Sequence, residues 1–355
     1  MILAETNPDK APEVIFLPWE KRDRLDSLIE RSAFPSSISK GEYLAIKMHF
    51  GERGGDGHVK PEFIRPFIRA AKSKKAKPFL TDTCTIYHGP RNNAVEHLMV
   101  AAEHGFSLNR LQIPVIIADG LLGDEHREIP IPGKHFSKVK IATGITNADR
   151  MLVISHFKGH VLTGFGGAIK NIGMGCGSRK GKFEMHSSAA PKVTSQKCVG
   201  CGMCIPTCAQ SALKLSDGKI ELDKKLCAGC GECIIACHTA ALSITWNEET
   251  KNVQERIVEY ALGAVKDIPA YYFNFVCHIT PNCDCTGIRE KPIAADVGIL
   301  ASEDPVAIDA ASLELVVQNS GDVFKKAHPE LDCSLQLEYA KKIGLGSRKY
   351  KLVEL

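Results

Sequence analysis

No run of 18 apolar residues occurs anywhere in this chain, which argues against a membrane-spanning helix. The first residues, MILAETNPDK, have neither a basic leader region nor an apolar stretch, so no export signal is expected. A strong charge imbalance is missing too: the formal net charge is only +4. So slight a basicity gives no reason to expect nucleic acid as a partner. Nothing in the sequence looks secreted, yet there are 14 cysteines. That combination favours metal ligation in a reducing, cytoplasmic setting over disulfides.

Eight of the cysteines stand in two identical quartets. Cys198, Cys201, Cys204 and Cys208 read C-x2-C-x2-C-x3-C, and Cys227, Cys230, Cys233 and Cys237 repeat the spacing. This is the bacterial two-cluster ferredoxin run, without the proline that usually follows each fourth cysteine; Ala209 and His238 take those places. Three cysteines on a tight loop can wrap three corners of one [4Fe–4S] cube, while the fourth starts a helix and points at the other cube. The expected ligand sets are therefore crosswise: Cys198, Cys201, Cys204 and Cys237 for one cluster, and Cys227, Cys230, Cys233 and Cys208 for the second. Zinc sites use isolated C-x2-C pairs and not tandem quartets.

Around this run the sequence alternates strand and helix patterns. Strands are expected over 13–17, 43–50, 78–81, 115–118, 138–142, 151–155, 271–279, 295–300 and 350–353. Helices are expected over 19–31 (ended by Pro35), from Pro61, over 94–104, 248–266, from Pro305, and over 323–326 and 335–343. The expected fold is α/β: a larger α/β body, residues 1–190 and 247–355, with an inserted bacterial ferredoxin-like 2[4Fe–4S] domain at 191–246. In such sheets ligands bind beyond the carboxyl ends of the strands, where loops 51–58, 82–93 and 156–186 fall.

The stretch from Ser155 to His186 is dense in glycine, lysine and histidine. His156, Lys158, His160 and Lys170 are the candidate catalytic residues, for proton transfer, metal ligation or substrate clamping. Gly166, Gly167, Lys170, Asn171, Arg179 and Lys182 are the candidate cofactor-binding residues, since glycine-rich backbone and positive charge suit an anion. The pattern fits neither the Walker A nor the dinucleotide fingerprint. His186 and Cys176 are possible additions, although Cys176 alone reads as a small buried residue. In CHITPNCDC, Cys277, His278, Cys283 and Cys285 suit a third metal centre and redox-active or structural thiols equally. Asp82, Tyr87, His88 and Arg91 share a loop suited to substrate contact, and Arg53, Asp56 and His58 share one that is equally well a turn. Asp304 reads as a helix N-cap and Asp309 as a surface or packing residue.

KMHFGERG, TDTCTIYHGPRN, SHFKGHVLTGFGGAIKNIGMG, the cysteine run and DVGILASEDPVAIDAASLELV together span nearly the whole chain. In them the chain resembles the uncharacterised Fe–S centre protein family, in which a domain of unknown function carries a bacterial two-cluster ferredoxin segment. The resemblance implies an α/β body with an iron–sulfur module and a redox role, but no substrate. The expected function is an oxygen-sensitive oxidoreductase in which two [4Fe–4S] clusters relay electrons to a pocket in the body. That pocket would hold a small-molecule substrate or a phosphate-bearing cofactor such as a flavin, which couples one-electron to two-electron chemistry. The rival readings are a non-enzymatic electron carrier docking to a redox partner protein, and a metal-delivery or assembly protein using His156, His160 and the Cys277 cluster.

Overall fold

The fold is seen in a computed structural model that describes residues 11–355 except 88, 187–189, 209, 228–231 and 244–249. His88, Ala209 and Cys230 fall outside the described residues.

Eight strands form one large sheet: β1 (Glu13–Pro18), β2 (Tyr43–Lys47), β3 (Lys77–Asp82), β4 (Val115–Ile117), β5 (Arg150–His156), β6 (Ala270–Val276), β7 (Gly298–Ser302) and β8 (Lys351–Glu354). Their order is β8-β1-β7-β6-β5-β2-β3-β4. From β6 to β4 neighbouring strands are parallel, whereas β7 runs against both β6 and β1. Strands from both sides of the cysteine run therefore share one sheet, and β5 pairs with β6 across it, Phe275 beside His156.

Both faces are covered, so these strands are apolar on both sides instead of alternating. Leu44, Ile46, Leu152, Ile154, Phe273 and Phe275 point to one face, where α1 (Leu25–Arg31), α2 (Pro61–Ser73) and α3 (Ala94–Glu103) pack. Ala45, Met151, Val153, Tyr272 and Val276 point to the other, beneath α4 (Ala168–Cys176), α5 (Arg179–His186), α6 (Thr250–Val265) and α7 (Pro305–Ser320).

Several expectations are corrected. Helix α1 stops at Ser32, and Pro35 lies within a separate short helix, Phe34–Ser37, because proline is well tolerated in a first helical turn. The strand over 138–142 leaves the main sheet and pairs with His126–Pro130 in a hairpin. The glycine-rich stretch 156–186 is mostly not loop: it forms a small hairpin, 158–160 against 164–166, and then helices α4 and α5. Its glycines serve close packing. A Cβ on Gly173 would stand 2.2 Å from the carbonyl oxygen of Ile257, so glycine lets α4 and α6 touch backbone to side. Of the two readings of Asp309, surface or packing, packing holds: the side chain is fully buried.

Residues 192–243 form two small antiparallel pairs, 192–193 with 242–243 and 213–216 with 219–222, plus the short helix Glu232–Ala236. Among the described residues no helix is long and apolar enough to cross a membrane.

Candidate functional site

Because β2, β3, β5 and β6 are parallel, their carboxyl ends open onto one edge of the sheet. A cavity of about 350 Å³ lies there. The ends of β2, β3 and β5, helix α4 and the segment 283–285 supply its walls. Four lysines line it, Lys47, Lys158, Lys170 and Lys182, and their surroundings divide them sharply.

Two of the four are saturated, and a third is held beside a carboxylate. Lys47 Nζ donates to Asp82 Oδ1 at 3.0 Å, Asn171 Oδ1 at 2.8 Å and the Met48 carbonyl at 3.2 Å. Lys182 Nζ donates to Thr83 Oγ1, to the Cys84 carbonyl at 2.8 Å and to the Gly177 carbonyl at 2.9 Å. Lys158 Nζ donates to the His156 carbonyl at 2.9 Å and stands 3.7 Å from Asp284 Oδ2. An ammonium group has three donors, so Lys47 and Lys182 have none left for a ligand. Lys170 is half-buried, and its polar partner among the described residues is the sulfur of Cys283 at 3.8 Å.

The histidines divide in the same way. His156 bonds Asp284 Oδ2 through Nδ1 at 2.8 Å and the Cys277 carbonyl through Nε2 at 2.8 Å. Both partners are acceptors, so both ring nitrogens donate and the ring is an imidazolium. Burial alone would raise the Asp284 carboxyl, but His156 and Lys158 beside it hold it far below the usual carboxylate range. His160 is held through Nδ1 by Leu162 N and Thr163 Oγ1, and burial with Lys170 nearby keeps it neutral. His49 accepts Gly51 N–H at Nδ1, 2.7 Å away. Burial and Arg91 keep it neutral, so its proton is on Nε2. That nitrogen is buried without a partner among the described residues, on a side chain that lines the cavity.

Cys283 and Cys285 complete the wall and hydrogen-bond each other. The Cys285 donor, with Lys170 and Lys158 behind it, pulls the Cys283 thiol well below its ordinary value, whereas Cys285 is pushed well above. The Tyr87 hydroxyl hydrogen-bonds Cys285 and accepts from Arg91 Nη2 at 3.2 Å. Arg91 is itself buried against Glu52, Nε to Oε2 2.9 Å.

The expected catalytic residues His156, Lys158, His160 and Lys170 all line this cavity, as do Gly167, Asn171, Lys182 and His186. Gly166 and Arg179 do not. Gly166 sits in the 164–166 strand, with Lys170 Cδ 3.0 Å from where its Cβ would be; Arg179 turns away and donates to the Leu122 carbonyl at 3.0 Å. The anion cradle expected from backbone amides is taken: Ala168 N and Ile169 N, at the start of α4, donate to Asp309 at 2.7 and 2.9 Å. Cys277 and His278 are not in the cavity wall, so the CHITPNCDC cysteines separate. Arg53 pairs with Glu103 and Asp56 approaches Arg289, both outside the cavity, and His58 stacks on His104. Lys47 and His49 were not among the expected site residues; their signal was polar residues at the end of an otherwise apolar strand, within KMHFGERG.

A second, much smaller cavity lies in the cysteine run. Cys198, Cys201, Cys204 and Cys237 all line it. Ile220 N donates to Cys198 Sγ at 3.3 Å and Leu242 N to Cys237 Sγ at 3.4 Å. The Gly200 and Ile220 amides lower the Cys198 thiol; burial, with Cys237, Cys201 and Cys198 nearby, raises that of Cys204. In the second expected ligand set, Ala212 N donates to Cys208 Sγ at 3.3 Å. Among the described residues no group of three His, Cys, Asp or Glu side chains is placed to hold a metal ion. Cys198, Cys204 and Cys233 pack in one apolar cluster with Ile86 and Phe183 of the body, and Tyr87 packs against it.

Comparison with known proteins gives a family and a distant likeness. The family described as a domain of unknown function (DUF362) matches residues 44–314. No curated protein matches the sequence. Among solved structures, the lactate racemase apoprotein from Thermoanaerobacterium thermosaccharolyticum is similar at 12% identity and a TM-score of 0.43, over 76% of this chain and 51% of that one. A Thermotoga maritima crystal structure is similar at 9% identity and a TM-score of 0.40, over 91% of this chain and 59% of that one. The chain thus spans little more than half the length of either.

Proposed function

The chain belongs to the DUF362 family, a domain of unknown function, and from its two cavities we propose that it is an iron–sulfur oxidoreductase acting on a small organic anion. One observation carries the reading: Ile86 and Tyr87, in the wall of the large cavity, also pack with the cysteines of the ferredoxin-like run. A wall shared in this way suits electron exchange between two sites.

The donor set of the run fits [4Fe–4S] clusters. Cys198, Cys201, Cys204 and Cys237 surround one small space, and backbone N–H groups point at two of the four sulfurs, which favours thiolates. Cys227, Cys233 and Cys208, with Cys230 outside the described residues, would hold the second cluster. When bound, the clusters supply single electrons.

In the body, Lys170 and the His49 Nε2–H are donors open to a ligand, one charged and one neutral. They suit one carboxylate or phosphate group. A flavin or other phosphate-bearing cofactor would be met by the same two donors and not by the amides of α4, which Asp309 already holds. A bare electron carrier has no use for a cavity of about 350 Å³.

The test is anaerobic purification, with iron and acid-labile sulfide counted and released small molecules identified by mass spectrometry. About eight irons and eight sulfides per chain are expected, with a bound organic anion lost in Lys170→Met. Zinc in place of iron, or anion binding unchanged in that variant, would overturn the reading.

A further inference from the structure

We propose that Cys283 and Cys285 are a redox-active dithiol that reduces small organic disulfides admitted to the cavity. The inference goes beyond the iron–sulfur reading and does not depend on it.

The pair is built to be a pair. The residue between them, Asp284, is clamped by His156 at 2.8 Å and approached by Lys158 at 3.7 Å, and is nearly inaccessible to solvent. Anchoring the middle residue fixes both flanking cysteines on the cavity wall, where their thiols hydrogen-bond each other. Gly57 closes over the clamp: a Cβ there would stand 2.2 Å from Asp284 Oδ1.

The two sulfurs are also unequal, as exchange requires. Lys170 Nζ is 3.8 Å from Cys283 and has no other polar partner among the described residues, so its charge acts on that sulfur. Cys285 faces Tyr87 and keeps its proton. Thiolate is the nucleophile in exchange, and a neighbouring cation favours it. The other body cysteines differ: burial pushes Cys176 and Cys333 up to about 11, and Cys84 and Cys277 higher still.

The step balances on these two residues alone. The Cys283 thiolate attacks one sulfur of R–S–S–R, forming a mixed disulfide and releasing RS⁻. Cys285 then loses its proton and attacks the Cys283 sulfur; a Cys283–Cys285 disulfide forms and the second RS⁻ leaves, taking up that proton. Two electrons pass from the dithiol to the substrate, which ends as one thiolate and one thiol.

The experiment uses the full chain, purified anaerobically. Limiting iodoacetamide at pH 7 is followed by peptide mapping of Cys283, Cys277 and Cys333. Cys283 is expected to be modified at least about tenfold faster than the other two, and Lys170→Met to slow it several-fold. Bis(2-hydroxyethyl) disulfide is then added. The wild type is expected to yield linked Cys283 and Cys285 peptides, and Cys285→Ser to retain the hydroxyethyl adduct on Cys283. The proposal is overturned if Cys283 reacts no faster than Cys333, or if the adduct persists in the wild type. Neither readout depends on the iron count, so this proposal and the iron–sulfur reading can fail separately.

Discussion

His156 and Asp284 lie 128 positions apart in the chain and meet at 2.8 Å as a buried imidazolium–carboxylate pair. The second ring nitrogen is spent on the Cys277 carbonyl, so His156 holds the wall in place and has no lone pair for use as a base. Asp284→Asn should strand that cation in the interior and cost about 3–5 kcal/mol, read from urea unfolding. The folded carboxyl is held far below its unfolded value, so its stabilisation is present above pH ~4 and is lost as the pH falls further. In Asp284→Asn this contribution to acid sensitivity should vanish.

Two lysines of one cavity should respond in opposite ways to the same change. Lys47→Met leaves Asp82 buried without its main partner and should destabilise the fold by several kcal/mol, on the order of 3–5. Lys170→Met breaks no carboxylate pair and should shift the urea midpoint by less than about 1 kcal/mol equivalent, while lowering anion affinity. Equal destabilisation by the two would contradict the division between saturated and open lysines.

His97 is fully buried, packs edge-on against Phe50 and has neither ring nitrogen hydrogen-bonded among the described residues. Burial pushes it down to about 3. A depressed folded pKa makes the neutral ring stabilising above its unfolded value of about 6.5. That stability falls away as the pH drops from about 6.5 towards 3. His97→Phe should flatten stability against pH across this window, measured by thermal melting at several pH values.

Cys198→Ser and Cys237→Ser change different quartets but one small cavity. Both should remove the same cluster, each lowering bound iron from about eight to about four, with the same surviving electron-paramagnetic-resonance signal on reduction. Different surviving signals would mean that ligation is not crosswise.

Gly57→Ala pushes a methyl group into the seat of Asp284. Overpacking there should cost about 1–3 kcal/mol. It should also slow alkylation of Cys283, because the clamp that presents the dithiol moves.

Much of the frame was legible locally. Apolar strands, Pro61 at a helix start and the helix expected over 94–104, which runs Ala94–Glu103, are set by neighbouring residues, so pattern reading reached them. Asp304 caps its helix as its position before Pro305 suggests, accepting from Val306 N and Ala307 N. The stretch 156–186 misled because glycine serves a phosphate loop and a tight helix contact equally well; Gly173 against Ile257 depends on a helix more than 80 residues away.

By itself, then, the sequence determined the spacing of the eight cysteines, the alternation of strand and helix, and which segments follow strands. These are short-range properties of the chain. Only the tertiary structure decided which cations are open. Lys47, Lys158, Lys170 and Lys182 are equivalent as letters, and what separates them is where acceptors arrive from elsewhere: Asp82 and Asn171 on Lys47, Thr83 and Cys84 on Lys182, Asp284 beside Lys158, and for Lys170 the sulfur of Cys283. A buried charge takes its role from the partners that compensate it, and partners so distant in sequence are chosen by the packing of the sheet.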